Sequence, residues 1–136
     1  MSTNSRRLKI LSIDDDPGCQ EVAARFMRVI GGHTVDAAYT GAEGLRMAAA
    51  TKPNVILLDM ILPDIDGIQV IDRLLSTSVT REIPVIFLTG ADLTQTERQH
   101  LSLMPNFYRL EEKPCDFNVL LGHINRIAGS ATARDN

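Results

Sequence analysis

A chain of 136 residues with 44% hydrophobic and 23% charged residues has the composition of one globular domain with its own core. The net charge is −3, whereas nucleic-acid-binding domains usually carry an excess of basic residues, so we expect no direct contact with DNA or RNA. No apolar run approaches the roughly 18 residues of a membrane span and no signal peptide is recognisable, which predicts a cytoplasmic protein without membrane contact.

The first part of the chain alternates between strand and helix patterns. After a polar tail over residues 1–7, an apolar strand over 8–13 ends at three consecutive aspartates, and Pro17 suits the first turn of a helix. A short strand over 33–39 follows. It leads to a capping box at 40–43, which opens a second helix.

The stretch around which the other elements are arranged is the apolar run Val55–Leu58, which ends at Asp59. Because a strand with one wet face would alternate between apolar and polar residues, this run predicts a strand buried on both faces. Asp59 then lies where a buried strand emerges. In open parallel sheets this edge is the place where ligands bind.

The remaining elements continue the alternation. A third helix follows Gly67, and a second buried strand over 85–88 ends at Thr89. The helix opened by a capping box at 94–97 has few apolar positions, so we expect its neighbours to hold it weakly. A strand over 107–112 and a last helix with a clear apolar stripe complete the pattern.

Five strand and helix alternations predict an α/β fold, a doubly wound parallel sheet with helices on both faces. We expect one domain over residues 8–128, with polar tails over 1–7 and 129–136. The two cysteines lie far apart in the sequence and are expected to be reduced thiols. The three histidines show no spacing typical of a metal site or a nucleophile, and we expect each at the surface or at the rim of the core.

Because the strands of such a sheet run in one direction, the residues just past their ends gather at one edge. In this chain they are Asp14, Asp15, Asp16, Asp59, Thr89 and Lys113. Neighbouring carboxylates repel one another unless a cation lies between them, and their oxygens are ligands that suit Mg²⁺. Asp16 is better explained as the cap of the first helix.

The same set of residues has the parts that phosphoryl transfer needs. Lys113 supplies a positive charge and Thr89 a hydroxyl donor for the phosphoryl oxygens. Asp59 is the attacking group that we expect, since carboxylates form acyl phosphates and apolar residues separate this one from other charges in the sequence. The sequence thus predicts an aspartate that becomes phosphorylated.

Four motifs occur in order along the chain: Ile13–Pro17, Leu58–Gly67, Leu88–Gly90 and Glu112–Pro114. Together they strongly resemble the response-regulator receiver domain of two-component signalling, over about residues 8–128. The resemblance implies a single flavodoxin-like, doubly wound domain: a five-stranded parallel sheet of strand order 2-1-3-4-5 with five helices.

The resemblance also implies the roles of the site residues. Asp59 would accept the phosphoryl group from a phosphohistidine on a sensor histidine kinase or a histidine phosphotransfer protein. Asp15, Asp59 and the backbone carbonyl of Ile61 would bind Mg²⁺, while Asp14 would act mainly through water. In addition, Thr89 and Lys113 would contact the phosphoryl oxygens, and the peptide bond from Lys113 to Pro114 is expected to be cis.

The phosphoryl group is then expected to bias an equilibrium between two arrangements of the fourth helix, fifth strand and fifth helix. The residues expected on the surface that meets a partner are Leu101, Leu103, Tyr108, Leu110 and His123. Leu110 stands where the family usually has an aromatic ring that swings inward with the threonine, and leucine cannot make that rotation. Tyr108 lies two residues earlier on the same strand face.

Two consequences for signalling follow from this interpretation. The output is expected to pass to a downstream protein or to an output domain removed from this chain, and a homodimer through the last helices is left open. Ile61 and Ala91 are both apolar and lie two positions past Asp59 and Thr89. We expect them to hinder an attacking water and so give a long-lived phosphoryl state.

Two other functions are left open by the residues. Asp14–Asp16 also satisfies the DxD pattern of Mg²⁺-dependent phosphohydrolases with an aspartyl nucleophile, although this chain leaves no material for their substrate-enclosing cap. Multiple turnover of small phosphate esters, lost in Asp14→Asn but kept in Asp59→Asn, would favour that enzyme. A scaffold that binds partners without phosphorylation is the other alternative. We favour a phosphoacceptor that is not an enzyme but assists its own phosphorylation and dephosphorylation.

Overall fold

The computed structural model describes residues 6–90 and 92–135, with the backbone alone for 130–135. Its elements are β1 Lys9–Ile13, α1 Pro17–Val29, β2 Thr34–Ala38, α2 Gly41–Thr51, β3 Val55–Leu58, α3 Gly67–Leu75, β4 Val85–Thr89, α4 Gln95–Ser102, β5 Phe107–Glu112 and α5 Phe117–Asp135. The five strands are all parallel and lie in the order β2-β1-β3-β4-β5. The prediction of a flavodoxin-like, doubly wound α/β fold is confirmed.

The central strands are buried on both faces, as their uninterrupted apolar runs predict. Every residue of β3 and β4 is buried. Val55 and Leu57 belong to the apolar cluster that contains residues of α1 and α5, whereas Ile56 and Leu58 belong to the cluster that contains residues of α2, α3 and α4. Burying one such side chain stabilises a fold by about 1.5–3 kcal/mol. The apolar residues of β3 and β4 therefore hold these strands firmly in the core, and the carboxyl ends of the strands are held with them.

Three local features differ from the sequence predictions. The Glu43 carboxylate accepts from the backbone N–H of Tyr39 at 2.8 Å, one residue before the cap, so the predicted box at the start of α2 is incomplete. A complete capping box that was not predicted, Asp66 with Gln69, opens α3. Helix α5 continues to Asp135 through the expected polar tail, because no proline follows and the segment contains helix-favouring alanines.

His33 is buried, at 3% exposure, and the expectation of a surface histidine is wrong here. The backbone N–H of Leu8 donates to His33 Nδ1 at 3.0 Å, and His33 Nε2 lies 3.1 Å from Asn125 Oδ1. Because Nδ1 accepts a bond, the ring proton lies on Nε2 and is donated to Asn125. From the loop before β2, this imidazole therefore links Leu8, the residue before β1, to α5.

Helix α4 is held by few apolar contacts, as its composition predicts. Leu101 is the buried residue of this helix. The helix begins with the predicted capping box, in which Thr94 Oγ1 accepts from Glu97 N at 3.0 Å and Glu97 Oε1 accepts from Thr94 N at 2.9 Å.

Both cysteines are free thiols, as expected. Within the described part of the chain, no helix is both long enough and apolar enough to cross a membrane.

Two helical glycines are expected to respond oppositely to alanine. A Cβ at Gly67 would lie 2.7 Å from Asp59 O and 2.8 Å from Phe87 Cε2, so Gly67→Ala is expected to destabilise the fold by about 1–2 kcal/mol. A Cβ at Gly122, inside α5, would meet nothing within 4 Å, so Gly122→Ala is expected to stabilise by about 0.5–1 kcal/mol. Urea unfolding midpoints at unchanged slope measure both changes, and equal signs would contradict the packing argument.

Candidate functional site

The sheet register brings two of the predicted aspartates side by side. Ile13 and Leu58 are paired residues at the ends of β1 and β3, and the backbone N–H of Asp59 donates to Ile13 O at 3.0 Å. Asp14 and Asp59 are the next residues of the two strands, so their side chains emerge together at the carboxyl edge. One carboxylate oxygen from each of Asp14, Asp15 and Asp59 lies within 4.8 Å of the others.

Lys113 joins this acidic pocket, which we define by Asp14, Asp15 and Asp59. Its Nζ donates to Asp14 Oδ2 at 2.6 Å and to Asp59 Oδ2 at 3.2 Å. Its backbone N–H donates to Thr89 O at 2.9 Å, which ties the end of β5 to the end of β4. The peptide bond from Lys113 to Pro114 is cis, as expected.

The members of the pocket differ in their contact with solvent. The side chains of Asp14, Asp59 and Lys113 are 11%, 13% and 26% exposed. Asp15 is exposed, and Thr89 is buried at the end of β4. The pocket is therefore a partly solvated depression with one aspartate at its rim.

Burial and neighbouring charges shift the pKa values of Asp59 and Lys113 in opposite directions. Burial raises the pKa of Asp59, and the positive charge of Lys113 lowers it without cancelling the effect. Burial pulls the pKa of Lys113 down, but the hydrogen bond to Asp14 and the charge of Asp59 outweigh this and leave it raised. A second cation near Asp59 would therefore favour its charged form, and only a charged carboxylate is a competent nucleophile.

The donor set fits a hard divalent cation. Mg²⁺ takes about six oxygens at roughly 2.0–2.1 Å, so its ligand oxygens are separated by about 3–4 Å. The three carboxylate oxygens of the pocket already converge to within 4.8 Å of one another before any ion is considered. Ile61 follows Asp59 closely in the chain, and its backbone N–H donates to Asp59 Oδ1 at 3.4 Å.

Asp16 is a helix cap, as the sequence interpretation preferred. Its Oδ1 accepts from the backbone N–H groups of Gly18 at 2.9 Å and Cys19 at 3.3 Å. These bonds, with that to Cys19 as the largest contribution, lower the pKa of Asp16. Its side chain therefore stabilises the start of α1.

Two supporting residues were missed in the sequence. Gln20 is 3% exposed, and its Nε2 donates to the carbonyl oxygens of Ser12, Asp14 and Ala38 at 2.9–3.0 Å. It is a polar residue on the buried face of α1, which was the available signal. Asp64 accepts two backbone bonds from the start of α2, and only the folded loop shows this contact.

The predicted partner surface is partly corrected. Leu101 and His123 are 1% and 5% exposed and cannot contribute an exposed surface, because one packs in the core and the other accepts and donates hydrogen bonds between β5 and α5. Leu103 and Tyr108 are exposed at 83% and 40%. Leu110 is half-buried and, with Leu101 and Tyr108, lines a cavity of about 350 Å³ between α4 and β5.

Ile61 and Ala91 are the residues that are expected to shield the phosphoryl group from water. The Ile61 side chain is 64% exposed, so it is free of core packing. Ala91 lies outside the described residues. The long lifetime of the phosphoryl state stays a prediction.

Comparison with known proteins identifies the family. The model of the response regulator receiver domain matches residues 10–125. The chain is 35% identical over 119 residues to the response regulator MprA of Mycobacterium ulcerans, which covers 84% of this chain and 50% of that protein. It is 31% identical over 119 residues to the DNA-binding dual master transcriptional regulator RpaA of Synechocystis sp., over 88% of this chain and 48% of that protein.

The chain thus spans about half the length of these curated relatives. Among solved structures, a CheY-like response regulator receiver domain protein from Methanospirillum hungatei has a TM-score of 0.84 at 22% identity, over 95% of this chain and 99% of that one, which is a likeness in fold. The family match covers the acidic pocket and its lysine. The chain therefore belongs to the response regulator receiver domains, the modules of two-component signalling that accept a phosphoryl group on an aspartate.

Proposed function

We propose that Asp59 is the phosphoacceptor of this receiver domain. The observation that carries the proposal is the position of Lys113 Nζ, which lies 3.2 Å from Asp59 Oδ2 and 2.6 Å from Asp14 Oδ2. A lysine between two largely buried carboxylate side chains provides positive charge where phosphoryl oxygens would arrive. Of the three aspartates in the pocket, Asp59 alone is both half-buried at the end of the central strand and close to Ile61 N.

The proposed reaction is a transfer from nitrogen to oxygen. An Asp59 carboxylate oxygen attacks the phosphorus of a phosphohistidine on a sensor histidine kinase or a histidine phosphotransfer protein. A P–O bond forms as the P–N bond breaks, and the imidazole leaves and takes up a proton. The product is an acyl phosphate on Asp59.

Mg²⁺ is the cofactor that we propose for this step. Asp15, Asp59 and the Ile61 carbonyl would hold it directly, and Asp14 mainly through water. When bound, the ion supplies charge neutralisation and orientation for phosphoryl oxygens. The convergence of three carboxylate oxygens supports this assignment.

Thr89 and Lys113 are proposed to report the phosphoryl group to the partner surface. The hydrogen bond from Lys113 N to Thr89 O at 2.9 Å supports this role, because a movement at the end of β4 would displace the end of β5. Tyr108 and Leu110 on β5 and Leu101 on α4 line the cavity between these elements. We propose that a rearrangement of α4 and β5 would change the shape of this cavity. The α4–β5–α5 face would then bind a downstream protein or an output domain, and a homodimer through the last helices is compatible with the proposal.

The proposed role is that of a switch. The domain assists its own phosphorylation and its own dephosphorylation, in which water would release the group from Asp59 as inorganic phosphate. We place it in the cytoplasm with no direct contact to nucleic acid or membrane. Its net charge of −3 supports the absence of nucleic-acid contact.

The test is chemical phosphorylation of the purified chain. Incubation with Mg²⁺ and acetyl phosphate is expected to add the mass of one phosphoryl group, and peptide mapping is expected to place it on Asp59. Asp66→Asn, in the loop next to Asp59, is the matched control and is expected to gain the same mass. No mass gain in the wild-type chain, or a phosphoryl group on another residue, would contradict the proposal.

A further inference from the structure

The loop between β3 and α3, residues 59–66, is bonded near both of its ends to the start of α3. The backbone N–H of Gly67 donates to Met60 O at 2.7 Å, and Asp66 Oδ1 accepts from Gln69 N at 2.8 Å at the start of α3. Neither bond reaches the outer part of the loop. The Ile61 side chain there is 64% exposed and adds no core packing, whereas the next residue, Leu62, is 9% exposed and belongs to the core cluster of α2, α3 and α4.

Asp64 ties this outer part of the loop to a different element. Its Oδ1 accepts from the backbone N–H of Gly41 at 2.8 Å, and its Oδ2 accepts from that of Ala42 at 2.8 Å. These are the first two residues of α2, whose N–H groups have no partner inside the helix and carry partial positive charge. One carboxylate thus closes a two-point contact between segments more than 20 residues apart.

A second contact holds the same place independently of charge. A Cβ at Gly41 would lie 2.5 Å from Ile65 Cγ1, so the Ile65 side chain occupies the space that a larger residue at Gly41 would need. Ile65 is partly buried and packs against the core cluster of α2, α3 and α4. The loop is therefore seated on the start of α2 by a side chain as well as by the carboxylate of Asp64.

We propose that Asp64 is a positioning residue for Mg²⁺ binding, which holds the β3–α3 loop on α2 so that the Ile61 carbonyl stays at the acidic pocket. The inference rests on the proposed function, because it takes that carbonyl as a ligand. Asp64 is three residues past Ile61 and is not among the converging carboxylates of the pocket. It acts through the loop backbone, as residues that orient metal ligands do.

The test is calorimetric titration of the Mg²⁺-binding affinity with magnesium chloride. Asp64→Ala is expected to weaken Mg²⁺ binding by about tenfold. Thr40→Ala is the matched control, because it removes the bond from Glu43 N to Thr40 Oγ1 at 3.0 Å at the same helix end and leaves the loop contact intact. Its Mg²⁺ affinity is expected to stay within about twofold of wild type, although both variants lower the thermal midpoint by a few degrees.

The outcomes separate this inference from the proposed function. Wild-type affinity in Asp64→Ala, or an equal loss in Thr40→Ala, would overturn the positioning role, provided that the wild-type chain binds Mg²⁺ and Asp59→Ala does not. If the wild-type chain fails to bind Mg²⁺, the metal assignment itself fails. Should Asp64→Ala not fold, Asp64→Asn takes its place. It keeps one acceptor oxygen and is expected to show a smaller loss of affinity, and unchanged affinity in that variant would equally overturn the inference.

Discussion

Asp59→Asn is expected to be more stable than the wild-type chain in Mg²⁺-free buffer at neutral pH, by on the order of 1 kcal/mol, while it gains no phosphoryl group. The carboxylate of Asp59 is 13% exposed, and burial raises its pKa despite the nearby Lys113 charge. Asparagine keeps the shape and removes the charge. Lys113 retains its 2.6 Å contact with Asp14, so the substitution leaves no cation unpaired.

The pH dependence follows from the sign of this shift. Between the ordinary value of 3.8 and the raised pKa, the folded chain binds a proton to Asp59 more tightly than the unfolded chain does. Wild-type stability therefore falls as pH rises through this window, and the penalty stays constant above it. The advantage of Asp59→Asn is expected to vanish below pH 3.8, where both states carry a protonated carboxyl.

Urea unfolding with a chelator present, at neutral and acid pH, measures this effect. Asp15→Asn is the matched control, because Asp15 belongs to the same pocket but is exposed, and we expect little change in its stability. A lower stability of Asp59→Asn at neutral pH would show that Asp59 contributes to folding through its charge. That result would contradict the expectation that the charge of Asp59, which the proposed reaction requires, lowers the stability of the fold.

Lys113→Met is expected to destabilise the Mg²⁺-free chain by about 2–3 kcal/mol at neutral pH. The change removes both ammonium contacts and leaves Asp14 and Asp59 facing each other at 11% and 13% exposure. Breaking a fully buried ion pair costs about 3–5 kcal/mol, and we expect less here because the pocket is partly solvated. The pKa of Lys113 is raised, so its contribution is present below its ordinary value of 10.5 and is lost only as pH rises through the raised value.

A double-mutant cycle tests the origin of this loss. Because Asp59→Asn removes one of the two uncompensated charges, Lys113→Met is expected to cost less in the Asp59→Asn background, with a coupling of about 1 kcal/mol or more. Saturating Mg²⁺ is expected to restore part of the stability of Lys113→Met. Lys9→Met, at an exposed lysine, serves as the control and is expected to change stability by less than about 1 kcal/mol. Strict additivity would show that Lys113 does not compensate the charge of Asp59.

The residues that collect at the sheet edge could be predicted because their signal is local. Asp59 and Thr89 each end a buried apolar strand, and parallel strands bring such ends together. The strand order followed from the resemblance to receiver domains, and the register that joins Asp14 to Asp59 could be seen only in the folded sheet.

The supporting contacts could not be predicted because they depend on partners distant in the sequence. His33 bonds to Asn125, 92 positions away, and a histidine surrounded by polar and glycine residues gives no sign of this. The burial of Leu101 could not be predicted because α4 is short and has few apolar residues, so its pattern does not show which side faces the core. The burial of His123 could not be predicted because a polar residue in a long helix is usually exposed. The carboxylate of Asp64 likewise finds its donors on α2, more than 20 positions earlier.

The pairing of Ile13 with Leu58 links competence for signalling to completion of the fold. A slip of one residue between β1 and β3 would turn every side chain of a strand to the opposite face and would also draw Asp14 away from Asp59. A misregistered or half-assembled chain thus lacks the neighbouring acids of the proposed phosphorylation site. We therefore expect the chain to accept a phosphoryl group only after β1 and β3 have paired in the correct register.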